Sequence, residues 1–187
     1  MTIQQKIRMT VEQYFAWAVE QPSSRWELVD GEPLKMAPER ARHNIVKFRV
    51  CKALEAAVKR AGAPCEVFTD GMTVVINEHT AREPDASVQC GIKQDLDSMV
   101  LPSPTIVVEV ASPSNPKMDT NTKLAEYFTV PSIQHYLIVL PNSPAVIHHQ
   151  RGGDGAIRTT IIKSGEIPLD PPGITLPIAG LWPDEAA

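Results

Sequence analysis

Two hydrophobic periods divide this chain. From residue 40 to 61 the apolar positions Val46, Val50, Ala53, Leu54, Ala57, Val58 and Ala61 recur at three- and four-residue intervals, which predicts a long amphipathic helix closed by Gly62 and Pro64. Thr10 and Gln13 have capping-box spacing ahead of Tyr14, Phe15, Trp17 and Ala18, so a first helix is expected over 11–20. A third is expected over 119–129, with Leu124 and Phe128 as its apolar ridge. Elsewhere the pattern is strand-like. Residues 25–29 and 32–36 flank Asp30-Gly31, a pair suited to a type I′ hairpin turn, and Pro33 assigns the second strand to an edge or a bulge. Short strands over 65–69, 73–76, 86–89 and 105–110 suggest an antiparallel meander leading into a central strand. Residues 135–140 form another apolar strand after the third helix, which predicts a right-handed parallel crossover. Residues 145–149 and 158–163 pair as a hairpin, and the proline-rich stretch 168–182 reads as extended chain on the surface. The sum is an α/β fold, a mixed α+β sheet flanked by helices, in one domain spanning 1–187.

Composition changes this picture little. With 43% hydrophobic and 21% charged residues the chain has the balance of a soluble globular protein, no apolar stretch reaches membrane-spanning length, and a cytoplasmic location without membrane partners is expected. Cys51, Cys65 and Cys90 lack CxxC pairing and read as buried free thiols. A net charge of -4 argues against a whole-surface nucleic-acid coat, yet Arg40, Arg42, Lys47, Arg49, Lys52, Lys59 and Arg60 hold seven of the eighteen basic residues. They form either a local basic face or the solvated side of the long helix.

The candidate chemistry centres on Glu109, inside the apolar run Thr105-Ile106-Val107-Val108-Glu109-Val110. A carboxylate in a core strand costs several kcal/mol unless a cation compensates it. Alternation puts Val107 and Glu109 on one sheet face and Ile106, Val108 and Val110 on the other. Asp85, after Pro84, can supply a second carboxylate, so Asp85, Glu109 and the backbone carbonyl of Val110 make a hard-oxygen set for Mg²⁺ or Mn²⁺. Asp119, Lys123 and Tyr127 share a face of the third helix, which brings Lys123 towards the strand ends. Such a set suits phosphodiester hydrolysis, with an acidified water and a lysine to orient it or neutralise charge. The plainer alternative has Asp119 capping its helix and Lys123 pairing with it at the surface. His43 falls on the inward stripe of the long helix, either as a satisfied core residue or as part of the site.

The order Arg25-Trp26-Glu27-Leu28-Val29-Asp30-Gly31-Glu32, Met36-Ala37-Pro38 with His43, Pro84-Asp85, Val108-Glu109-Val110-Ala111-Ser112-Pro113-Ser114, then Asp119, Lys123 and Tyr127, resembles the Uma-type putative restriction endonuclease family. That family belongs to the PD-(D/E)XK nuclease superfamily. The resemblance implies a restriction-endonuclease-like core, with Asp85 and Glu109 as metal ligands and His43 matching a family histidine. Glu32 is the best match for an upstream acid, with Glu27 as its rival. The superfamily lysine two residues after the glutamate is replaced by Ala111, and Lys123 fits a relocated lysine. The reading is therefore a Mg²⁺- or Mn²⁺-dependent DNA endonuclease using Asp85, Glu109, Lys123 and Glu32. His43, Asp119 and Tyr127 are accessory, Arg42, Lys47 and Arg49 contact phosphates, and a homodimer would suit double-strand cleavage. Two competing readings are a non-catalytic nucleic-acid- or partner-binding module on the same scaffold, and a metal-free hydrolase using two carboxylates.

Overall fold

The computed structural model of the chain describes residues 8–111 and 118–183, the side chains of 118–120 excepted. Helix α1 (Val11–Val19) opens with the expected capping box, Thr10 Oγ1 accepting from the Gln13 amide and Gln13 Oε1 from the Thr10 amide. Strands β1 (Trp26–Val29) and β2 (Glu32–Lys35) follow as the expected hairpin, with Asp30 at φ 51° and Gly31 at φ 82°, both in the left-handed region that a type I′ turn requires. Helix α2 (Ala41–Ala61) ends on Gly62 at φ 61°, the left-handed cap its sequence announces.

Among the described residues ten strands come after α2. They are β3 (Cys65–Thr69), β4 (Val74–Asn77), β5 (Thr80–Arg82), β6 (Ala86–Cys90), β7 (Pro104–Val110), β8 (His135–Leu140), β9 (Ala145–Arg151), β10 (Ile157–Ile162), β11 (Glu166–Leu169) and β12 (Ile174–Pro177), with α3 (Met118–Tyr127) between β7 and β8. The main sheet has the order β10-β9-β8-β7-β6-β3, with β7 and β8 parallel across α3 and the other pairs antiparallel. A second sheet has the order β2-β1-β5-β4, so the Pro33 strand is indeed an edge. The expected meander is thereby corrected. β3 pairs directly with β6, while β4 and the short β5 leave to build the second sheet beside the first hairpin.

The proline-rich end is the second correction. Instead of lying on the surface it folds into the β11–β12 hairpin, and Ile167, Leu169, Ile174, Leu176, Ile178 and Leu181 are buried in the main core. Pro168 and Pro177 are compatible with this because a two-stranded ribbon has edges on both sides. That core joins α2 (Val46, Val50, Leu54, Ala57, Val58) to the Ile106, Val108 and Val110 face of β7. On the opposite face Val107 packs with Val74, Leu101, Tyr127, Ile133, Tyr136 and Ile138. The cysteine reading is corrected too: Cys65 and Cys90 face each other in the β3–β6 register and form a disulfide, whereas Cys51 is a buried free thiol. Among the described residues no helix is long and apolar enough to cross a membrane.

Candidate active site

Strand alternation turns Glu109 to the Val107 face, the side on which α3 packs. The Lys123 and Tyr127 side chains project from α3 one turn apart, and both reach the same oxygen: Lys123 Nζ lies 3.0 Å and Tyr127 Oη 2.7 Å from Glu109 Oε1. Lys123 also donates to Glu27 Oε1 at 3.2 Å. Glu27 is buried on β1, accepts from Arg82 Nη1 at 3.0 Å and from the Glu83 amide at 3.1 Å, and Arg82 in turn holds Glu126 through Nε at 2.7 Å and Nη2 at 2.9 Å. One continuous charge network therefore ties the second sheet to α3 and to the central strand.

Asp85 reaches the site from the residue before β6. Its Oδ2 accepts from the Val110 amide at 2.6 Å, which fixes the carboxylate beside the end of β7. His43, from the first turn of α2, puts Nε2 2.8 Å from the Val110 carbonyl and 3.6 Å from Asp85 Oδ2, and its Nδ1 stands 3.5 Å from Glu39 Oε2. Behind them Lys47 is buried, donating to Glu39 and, at 2.9 Å, to Asp70 Oδ2, with Asp85 Oδ1 3.9 Å away.

The electrostatics follow from burial. Desolvation is the largest cause raising the Glu109 carboxyl to about 7; the neighbouring charges of Asp85 and Glu27 add to it, while Lys123 and the Tyr127 hydroxyl oppose it. Asp85 is pushed upward by its burial, against the Val110 amide and Lys47. Burial acts on Glu27 in the same sense, but Lys123 and Arg82 outweigh it and hold that carboxyl below its ordinary value. Tyr127 is raised far above the phenol range by burial and by Glu109. Asp85 and Glu109 are two buried carboxyls with raised values, at the start of β6 and on the neighbouring β7. With the Val110 carbonyl they form an all-oxygen donor set, and that chemistry fits a hard divalent cation. A second grouping, Glu39, His43 and Asp85, offers ligand atoms within 4.8 Å of one another.

Asp85, Glu109, Lys123, Tyr127, His43 and the Val110 carbonyl thus converge as expected. Glu32 does not join them: it starts β2 beside the hairpin turn, exposed and in register with Val29, and the upstream acid that touches Lys123 is Glu27. Lys47 is no phosphate-facing surface residue but a buried ion-pair partner. Arg49 is also committed, to the carbonyls of Gly180 and Trp182, while Arg42 is exposed. The Asp119 side chain lies outside the described residues. Sequence reasoning missed Glu39, Asp70 and Arg82; the charged Arg82, in a three-residue strand ahead of Pro84-Asp85, carried no periodic signal.

A family model described as Uma2, "Putative restriction endonuclease", matches residues 11–179. The chain belongs to the Uma2 family. Two Synechocystis sp. proteins are similar to this Uma2 chain. They are slr1290, 26% identical over 153 residues (79% of this chain, 77% of that one), and sll1609, 29% identical over 138 (72% and 77%). A crystal structure from Anabaena variabilis, described as a putative nuclease belonging to DUF820, superposes with a TM-score of 0.72 over 92% of this chain and 97% of its own at 14% identity. The fold of this Uma2 protein is restriction-endonuclease-like.

Proposed function

We propose that this protein is a Mg²⁺- or Mn²⁺-dependent endonuclease that hydrolyses phosphodiester bonds of DNA. The observation that carries the reading is Lys123 Nζ at 3.0 Å from Glu109, on the strand next to the one that Asp85 precedes, which restores an acid-acid-lysine set although Ala111 stands where the superfamily lysine would be. Asp85, Glu109 and the Val110 carbonyl would hold the cation. When bound, it supplies a water acidic enough to attack phosphorus and positive charge for the transition state.

The chain's own residues do the rest. Lys123, held between Glu109 and Glu27, is placed to orient the attacking water and to offset charge on the phosphoryl oxygens. Tyr127 donates to the same Glu109 oxygen as Lys123 and so fixes that carboxylate. Glu27 positions Lys123, and Arg82 positions Glu27.

The test is cleavage of supercoiled plasmid in Mn²⁺ or Mg²⁺ by native protein and Glu109→Gln, with chelator added to a parallel reaction. Cleavage lost on both treatments supports the reading. A folded, metal-loaded native protein that leaves plasmid and a panel of branched and single-stranded DNA intact removes it, in favour of a binding module on this scaffold.

A further inference from the structure

His43 is not a satisfied core histidine. Its Nδ1 is buried with no hydrogen-bond partner, and leaving a buried polar atom unpaired costs free energy. The Val110 carbonyl can only accept, so in the contact at 2.8 Å the ring proton sits on Nε2; the bare Nδ1 then faces a Glu39 oxygen at 3.5 Å, acceptor against acceptor. Moving the proton to Nδ1 gives Glu39 a donor but turns the Nε2 lone pair onto two further acceptors, the Val110 carbonyl and Asp85 Oδ2. Neither neutral tautomer satisfies both ring nitrogens; only a positive charge at the ring does so, carried either as a second ring proton or as a cation bound at one nitrogen.

A metal cation on Nε2 provides that charge and leaves the Nδ1 proton for Glu39. Neighbouring ligands with bonds of about 2.1 Å lie about 3.0 Å apart at right angles and about 3.4 Å apart in a tetrahedron. The Nε2 separations of 2.8 Å and 3.6 Å from Val110 O and Asp85 Oδ2 bracket that range. We propose that His43 is a direct ligand of the cation through Nε2, joining Asp85 and the Val110 carbonyl, and that Glu39 orients the imidazole through Nδ1. The inference rests on the cation site of the proposed nuclease and adds a nitrogen donor to it. Glu39 is in turn fixed by Lys47, so a carboxylate, an imidazole and an ion would stand in line, the arrangement that sets tautomer and ring angle in histidine metal sites. A nitrogen donor shifts selectivity: the site takes first-row transition ions such as Mn²⁺ in preference to Mg²⁺, which favours oxygen alone.

The experiment is Mn²⁺ binding to the metal-free full chain, read by electron paramagnetic resonance with detection of directly coordinated nitrogen. Native protein is expected to bind Mn²⁺ with one such nitrogen. His43→Ala loses that signal and at least about tenfold in Mn²⁺ affinity, with a smaller loss for Mg²⁺; Glu39→Gln keeps the nitrogen and loses about tenfold. His43→Gln, similar in size, guards against a folding defect, and the native protein's own spectrum decides the presence of coordinated nitrogen without any variant. Mn²⁺ bound to native protein without coordinated nitrogen, or with nitrogen that survives in His43→Ala, overturns the ligand assignment while sparing a carboxylate-only nuclease site. Absence of Mn²⁺ binding to folded native protein overturns both. Nitrogen-coordinated Mn²⁺ in a protein that cleaves no DNA upholds the ligand and removes the nuclease.

Discussion

The two faces of β7 differ by one residue in sequence and by everything in environment. Ile106, Val108 and Val110 point into a core of aliphatic side chains from α2, β8 and the terminal hairpin. Val107 and Glu109 point the other way, and at Glu109 the apolar packing gives way to Lys123, Tyr127, Glu27 and Arg82. The first face gains from every carbon it hides. The second buries charges whose desolvation opposes folding, and they persist because each is paired. One strand thus separates what holds the protein together from what it is built to do, and substitutions on adjacent residues should have effects of different kinds.

The largest effect is expected at Glu109. Glu109→Gln should lower plasmid cleavage by at least about 10³-fold, more than the loss of one charge-stabilising donor, with the melting temperature unchanged or raised because a strained carboxyl has gone. A large fall in stability would break the comparison. Next, Arg82→Met leaves Glu27 and Glu126 without their shared cation and should cost about 3–5 kcal/mol in urea unfolding. On the other face Leu54→Ala, a fully buried site, should cost about 2–5 kcal/mol while the folded fraction cleaves at the native rate. Unequal specific activity there would mean that the two faces are coupled.

The smallest effect at neutral pH belongs to His135, His148 and His149, buried on β8 and β9 of the main sheet, with His148 and His149 on opposite faces of it. His148 Nε2 lies 2.9 Å from His135 Nδ1, and His135 Nε2 lies 2.9 Å from the Pro171 carbonyl. Burial lowers all three, His148 to about 4, with the neighbouring imidazoles adding to its shift. A histidine depressed from 6.5 binds its proton more readily when unfolded. Stability is therefore full above about pH 6.5 and falls as pH drops towards 4, by on the order of 3 kcal/mol for His148. Urea midpoints from pH 7 to pH 4.5 should fall less steeply in His148→Gln, and equal slopes would exclude this origin for acid sensitivity.

Much of this was legible from local pattern. The α2 stripe, the Asp30-Gly31 turn, the capping box and the β7 alternation are short-range signals, and each element formed within a residue or two of its expected bounds. What escaped was long-range. Cys65 opposite Cys90 is a matter of strand register, which spacing along the chain does not encode. Ile167, Leu169, Ile174 and Leu176 do alternate, but the prolines among them masked the period. Glu27 and Glu32 are equivalent in sequence; only the pairing of β1 with β5 distinguishes the inner strand from the edge. Lys47 looked like one more cation on a basic stripe because nothing local reveals that Glu39 and Asp70 enclose it.

The Lys123–Glu27 bond joins residues 96 positions apart, with β2, α2 and β3 to β7 between them. During synthesis Asp85 and Glu109 leave the ribosome before Lys123, and Glu109 has no partner on α3 until that helix docks. A chain cut short before Lys123 would carry both carboxylates but not the lysine that pairs with Glu109. On the proposed function, the chain would be inactive until Lys123 is in place.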